Sequence, residues 1–281
     1  MAAVYKAQLT TLCEDSPDVK ADIDAFFEEP FTGRYSQDYI GLDNVIRVRL
    51  PIGVPYNLDE NYFKAQENLN QWHTWVQGKA CELIAKKQKA NELPVDRERP
   101  DFKIKIGNYG ARVFDTILKT RSPWFSVFNR ERKTLQVDSK FELRETILLG
   151  VLANITNSIN DAAKITEVLD FITDAINFDI EEISTDRTIW IMLECYFYDR
   201  FSHEITPHIR VISFDTGAEL RRYRTNKSQF EEVSLKIDYY QTDMGFRQRT
   251  WDEAQNEINA SIEKMQYGTI GRDLYLQADS A

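Results

Sequence analysis

The run His203-Glu204-Ile205-Thr206-Pro207-His208 places two imidazoles and a carboxylate within six residues, the side-chain inventory of a zinc hydrolase. A zincin needs its histidines four apart on one helix face, with the intervening Glu as base. Here the histidines are five apart and Pro207 opposes a helix, so the stretch reads as a polar hairpin connection. His73 falls on the tryptophan face of a helical pattern and reads as a core or boundary side chain.

Pro100-Asp101 and the later Asp138-Ser139-Lys140 carry the residue types of a nuclease in which two acids bind Mg²⁺ and a lysine positions the attacking water. Both pieces are short and arise readily in a chain with 45 acids and 35 bases. Cys13, Cys81 and Cys195 are odd in number and form no CxxC pair, which argues against a zinc or thiol-redox site. They read as reduced and structural, Cys195 as a small buried hydrophobe inside an apolar run. Gly107-Asn108-Tyr109-Gly110 lacks the Lys-Ser/Thr of a P-loop and the third glycine of a dinucleotide fingerprint, and no GxSxG elbow occurs. No catalytic residue, metal or cofactor is therefore assigned, and the chain is expected not to be an enzyme. Sequons at Asn154, Asn226 and Asn259 have no secretory signal to make them meaningful.

Charge is more informative than any motif. The chain carries a net charge of −10, yet residues 101–140 hold nine Lys and Arg against four acids. The first 60 residues hold eleven acids against five bases, and residues 161–200 ten against three. A basic middle is thus flanked by acidic ends. Within it, Trp124, Phe125 and Phe128 interleave with Arg121, Arg130, Arg132 and Lys133, a mixture able to stack on bases and contact phosphates. The pI near 5.0 gives an unfavourable long-range field for nucleic acid, and the aromatics fit core strand positions equally well. Arg221, Arg222, Arg224 and Lys227 form a second basic stretch, read as a loop between strands.

The elements that hold these residues follow from periodicity. Asp59–Leu93 repeats Tyr62, Leu69, Trp72, Val76, Leu83 and Ile84 at helical spacing, with Asn57 or Asp59 to cap it, Lys86, Lys87 and Lys89 in the last turns, and Pro94 beyond. Phe141–Phe178 repeats Ile147, Val151, Ile155, Ile159, Val168 and Ile172 in the same way. A short helix is expected over Asp18–Phe27, and another over Glu253–Met265 with Thr250 as a cap. Alternation predicts a strand in Asn44–Leu50, closed by Pro51, Gly53 and Pro55, and another in Phe102-Lys103-Ile104-Lys105-Ile106, with Gly107 and Gly110 as its turn. β-branched and aromatic runs at Thr188–Phe197, Ile205–Phe214 and Val233–Tyr240 predict antiparallel strands. The fold class is α+β: two amphipathic helical blocks packed on a mainly antiparallel sheet in the C-terminal third. A single domain over 1–281 is the default, with a division near 138–141 as the alternative.

No apolar run is long enough for a spanning helix, and the acidic N-terminus fits neither a secretory signal nor a transit peptide, so a cytoplasmic location is expected. These features lead to a non-enzymatic structural or scaffolding protein that self-associates into a larger, virion-like assembly. Arg121, Arg130, Arg132 and Lys133 form the basic side of its interface, and Asp170, Asp174, Glu181 and Glu182 the acidic side. Opposite charges pairing within one monomer satisfy the same pattern. Two other function classes are a soluble pore-forming toxin using the 141–178 helices, and a metal-dependent nuclease or hydrolase. The acidic polar face of 141–178 argues against a membrane partner, because surface-bound helices carry Lys and Arg there.

Overall fold

The computed structural model describes residues 17–28, 45–52, 59–99, 101–137, 166, 187–216, 221–223 and 232–278. They fall into two compact units: Met1–Val45, Glu60–Ser126 and Phe246–Ala281 form one, and Ile46–Asp59 with Val127–Gly245 the other. The Phe141–Phe178 block, apart from Thr166, and the proposed division near 138–141 lie outside the described residues.

The first unit is helical among the described residues, with α1 (Pro17–Glu28), α2 (Asp59–Lys89), α3 (Phe102–Thr120) and α4 (Gln248–Ala278). Asp59 is already the first residue of α2, so it is not the cap, and Asn57 lies outside the described residues. At its far end Asn91 adopts φ 60°, and the N–H of Glu92 reaches back to the carbonyl of Lys87 at 2.9 Å. A left-handed residue with this backward bond terminates a helix, and it ends α2 at Lys89, before Pro94 is reached.

Helix α3 corrects the sequence reading, which placed a strand over Phe102–Ile106 and a turn at Gly107 and Gly110. Five residues of alternation are too few to fix a period, and the longer window decides: Phe102, Ile106, Val113, Phe114, Ile117 and Leu118 all lie buried at helical spacing. Gly107, Gly110 and Ala111 are buried within the helix. Helix α4 likewise runs beyond the expected Glu253–Met265 at both ends, and Thr250 sits inside it rather than at its cap.

The core of this unit is a chain of edge-to-face aromatic contacts, the arrangement that ring quadrupoles favour. Trp72 meets Phe125 at 5.0 Å between ring centroids, Phe125 meets Phe246 at 5.5 Å, and Trp124 meets Trp251 at 5.1 Å. Two indoles are satisfied as they are buried: Trp72 donates to Ser122 Oγ at 2.9 Å and Trp251 to Asn68 Oδ1 at 3.1 Å.

The second unit is a sheet whose strands run in the order β1 (Val45–Ile52), β3 (Arg187–Asp199), β4 (Glu204–Thr216), β6 (Glu232–Phe246) and β2 (Phe125–Val137), with β5 (Arg221–Tyr223) also paired to β6. Pairings β3–β4, β4–β6 and β5–β6 are antiparallel. The expected C-terminal strands are present and the class is α+β, but the sheet also recruits β1 and β2 from earlier in the chain. Pro51 is accommodated within β1, at one end of the described strand order, where a missing N–H is tolerated. Trp190 to Tyr196 are all buried, so both faces of β3 are covered.

Candidate interaction surface

Two ionic networks hold the sheet. Arg47 and Arg49, alternate residues of β1, converge on Glu194 of β3, which is fully buried; Arg47 pairs with it directly and Arg49 lies at 3.6 Å. Tyr196, two residues along, donates to the same carboxylate at 2.8 Å. In the other network Asp243 of β6 faces Arg210 of β4 in register. Arg210 Nε donates to Asp243 Oδ1 at 2.6 Å, while Gln241 and Asn129 donate to Oδ2 at 2.8 Å and 2.9 Å. A buried carboxylate surrounded by donors is structural in character: its lone pairs are occupied and its charge is neutralised.

The run His203–His208, expected as a hairpin connection, is instead divided between a turn and a strand. Arg200–His203 connects β3 to β4, and Glu204–His208 opens β4. The Asp199 carboxylate shapes the turn by accepting from the Phe201 N–H at 2.8 Å and the Ser202 hydroxyl at 3.1 Å. His203 takes φ 56° and its Nδ1 lies 2.6 Å from the Tyr198 hydroxyl. His208 instead lies between Phe197 at 4.9 Å and Phe128 at 5.7 Å. Among the described residues no group of three or more His, Cys, Asp and Glu is placed to hold a metal ion. Asp101 is engaged by Arg99 at 2.9 Å and Lys105 at 2.8 Å, which hold its carboxyl down at about 2; Asp138 lies outside the described residues.

Burial, with Asp243 opposing it, lowers the His208 pKa below 6.5. A depressed histidine binds fewer protons folded than unfolded, so stability is fully present above the unfolded pKa and falls as pH drops through it. Urea midpoints should therefore decline below pH 6.5, and His208→Gln should flatten that decline; an unchanged slope in the variant would assign the effect elsewhere.

Cys81 and Cys195 are free. Burial raises both thiols to about 12, with the Glu82 charge adding to the effect at Cys81. The thiolate is the reactive form, so in a Cys13→Ser chain both should label at least about a hundredfold more slowly at pH 8 than a free cysteine, until urea unfolds the protein. Prompt labelling of either in the native protein would contradict this burial.

The basic residues proposed as an interface separate into two groups. Arg121, just past α3, pairs with Asp24 of α1 at 2.9 Å and stacks over Phe27 at 5.2 Å. This is opposite-charge pairing within one chain, between the basic middle and the acidic N-terminal region. Asp22 of the same helix meets Lys87 at 2.7 Å and accepts from Tyr109 at 3.1 Å. Arg130 and Arg132 lie on β2, where residues 127–130, 132 and 134 are exposed. Arg132 stacks over Tyr240 at 5.0 Å. Phe128 is 63% exposed and Val127 38%. Trp124 and Phe125, by contrast, belong to the helical core and are not available to stack on bases. Lys133 lies within β2; Asp170, Asp174, Glu181 and Glu182 lie outside the described residues. Phe201, 97% exposed at the β3–β4 turn, was missed by the sequence reading, because its exposure follows from the turn that displays it.

No helix among the described residues is long and apolar enough to cross a membrane. No protein-family model matches the chain, and no curated protein does. Among solved structures, the chain is similar to the Evf virulence factor at 11% identity and TM-score 0.48, covering 86% of this chain and 89% of that one. It is also similar to the activated Cyt2Ba monomer from Bacillus thuringiensis subsp. israelensis, at 10% identity and TM-score 0.30 over 72% and 98% of the two chains. A delta-endotoxin gives 10% identity and TM-score 0.32 over 78% and 89%. Similarities of this size assign no family to the chain.

Proposed function

We propose that the chain is a non-enzymatic structural or scaffolding protein that self-associates through charged surfaces, as a subunit of an assembly built in the cytoplasm. The observation that carries this is β2: it ends the described strand order, exposes residues 127–130 together, and mixes apolar Val127 and Phe128 with cationic Arg130 and Arg132. Exposure on successive residues means both strand faces meet solvent, and such strands pair readily with another chain. Their charges select the partner and the register.

Light scattering after size exclusion at low and high salt tests it. A species above 32.8 kDa that dissociates as salt rises supports charge-directed assembly; a monomer at both salts rejects it. Reversing Arg130 and Arg132 to Glu should weaken association by roughly tenfold, the scale of two exposed charge contacts. Unchanged association would detach β2 from the interface.

A second reading, a soluble pore former, gains support from strand length. β3, β4 and β6 span 13, 13 and 15 residues, beyond the roughly nine to eleven that a tilted strand needs to cross a bilayer. Its helical version draws on 141–178, outside the described residues. Dye release from liposomes by pure protein would favour it over scaffolding, and intact liposomes from pH 5 to 8 would remove it.

A further inference from the structure

We infer that the cleft occupied by α1 is a docking site for the same helix of a second copy, so that subunits link by exchanging Pro17–Glu28. The inference rests on the self-association reading and identifies which segment is exchanged.

The cleft belongs to α2, α3 and the residues just past α3, and its character is cationic and aromatic. Phe26 of α1 lies beneath the ammonium groups of Lys79 at 5.1 Å and Lys86 at 4.7 Å. Phe27 packs on Trp75 at 6.0 Å, under the Arg121 guanidinium. Asp22 and Asp24 supply the opposite charge to Lys87 and Arg121. Burial, reinforced by the Asp22 carboxylate, raises the Tyr109 phenol above its usual range and keeps it a hydrogen-bond donor to Asp22. An acidic helix with two phenylalanines near its C-terminal end is therefore what the cleft recognises, and within this chain α1 supplies one.

Helix α1 is also held differently from its neighbours. Among the described side chains of α1 the buried apolar ones are Val19 and Ile23, against a long buried face on α3 and a fully buried Trp251 on α4. Its contacts through Asp22, Asp24, Phe26 and Phe27 include ion pairs and cation–π contacts, the kind that salt weakens. Sixteen residues, 29–44, separate Glu28 from Val45, and extended they reach at most roughly 55 Å. An exchanged α1 makes the same contacts in the neighbour's cleft as in its own, so exchange is close to neutral in contact energy and is governed by concentration and by the joining segment.

The test uses the unaltered chain. Equal amounts of ¹⁴N- and ¹⁵N-labelled protein are mixed, held at high salt to loosen α1, and returned to low salt. The Asp22–Lys87 pair is then converted to an amide with a water-soluble carbodiimide and the crosslinked peptides are weighed. Exchange makes the mixed-isotope fraction rise toward about half of all Asp22–Lys87 crosslinks. Mixed crosslinks that stay at the level of a sample crosslinked immediately on mixing, beside abundant same-isotope ones, would overturn the inference. Light scattering on the same sample separates the two levels. A large species without mixed crosslinks removes α1 exchange and leaves self-association standing, whereas a monomer without them removes both.

Discussion

Replacing Asp243 with alanine should remove about 3 to 5 kcal/mol of folding stability, the range for breaking one side of a buried ion pair. The Arg210 and Asp243 side chains are only 11% and 9% exposed. Alanine therefore removes the carboxylate that a nearly buried guanidinium pairs with, and with it the acceptor shared by Asn129 and Gln241. Asp243→Asn should cost less, since an acceptor remains where the charge is lost. The apolar pair Arg210→Met with Asp243→Leu should recover only part of the loss, because both charges are gone while the nearly buried Gln241 loses the carboxylate it donated to. Urea unfolding of the three variants measures this ordering. If Asp243→Ala unfolds at the same midpoint as the parent, the network is not the sheet's ionic anchor.

Trp251→Ala should be of similar size, about 3 to 5 kcal/mol, from the cavity left by a large side chain. Trp251 is fully buried against Trp124 and Phe246, the latter at 5.8 Å, and holds Asn68 through its indole N–H. Trp251→Phe separates the contributions: the ring is partly retained, the hydrogen bond to Asn68 is lost, and the cost should fall to about 1 to 2 kcal/mol. Near-ultraviolet circular dichroism should lose intensity in the alanine variant, because Trp124 and Trp251 are coupled ring to ring. A domain with about 5 to 15 kcal/mol in total loses a large share to either alanine substitution. An alanine variant within 1 kcal/mol of the parent would mean that α4 is peripheral to this core.

The elements that revealed themselves in sequence are those whose pattern is long and local. Trp72, Val76 and Leu83 mark α2 without help, and the β-branched runs of β3 and β4 mark a hairpin. Helix α3 was obscured because Phe102, Ile104 and Ile106 alternate just ahead of Gly107 and Gly110, while the residues that fix its period come later, from Val113 to Leu118. Helix α4 was read short because Gly268 and Gly271 lower helix propensity over a stretch the fold nevertheless keeps helical. The ionic networks could not be read at all. Arg210 and Asp243 are 33 residues apart, and only the β4–β6 register sets them face to face. The charge division was legible, and for Arg121 its partner proves to be Asp24 of the same chain; for Arg130 and Arg132 sequence gave the charge but not the exposed strand that presents it.

The hydrogen bond between Trp251 and Asn68 spans 183 residues, and the ion pair of Arg47 with Glu194 spans 147. Translation at about 5 to 20 residues per second leaves the tryptophan face of α2 outside the ribosome for roughly 10 to 40 seconds before its α4 partner exists. Each unit is assembled from separated stretches, and the helical one waits for α4. Closures this distant impose a slow rate, and the interval of exposed indoles is where chaperones would find this protein.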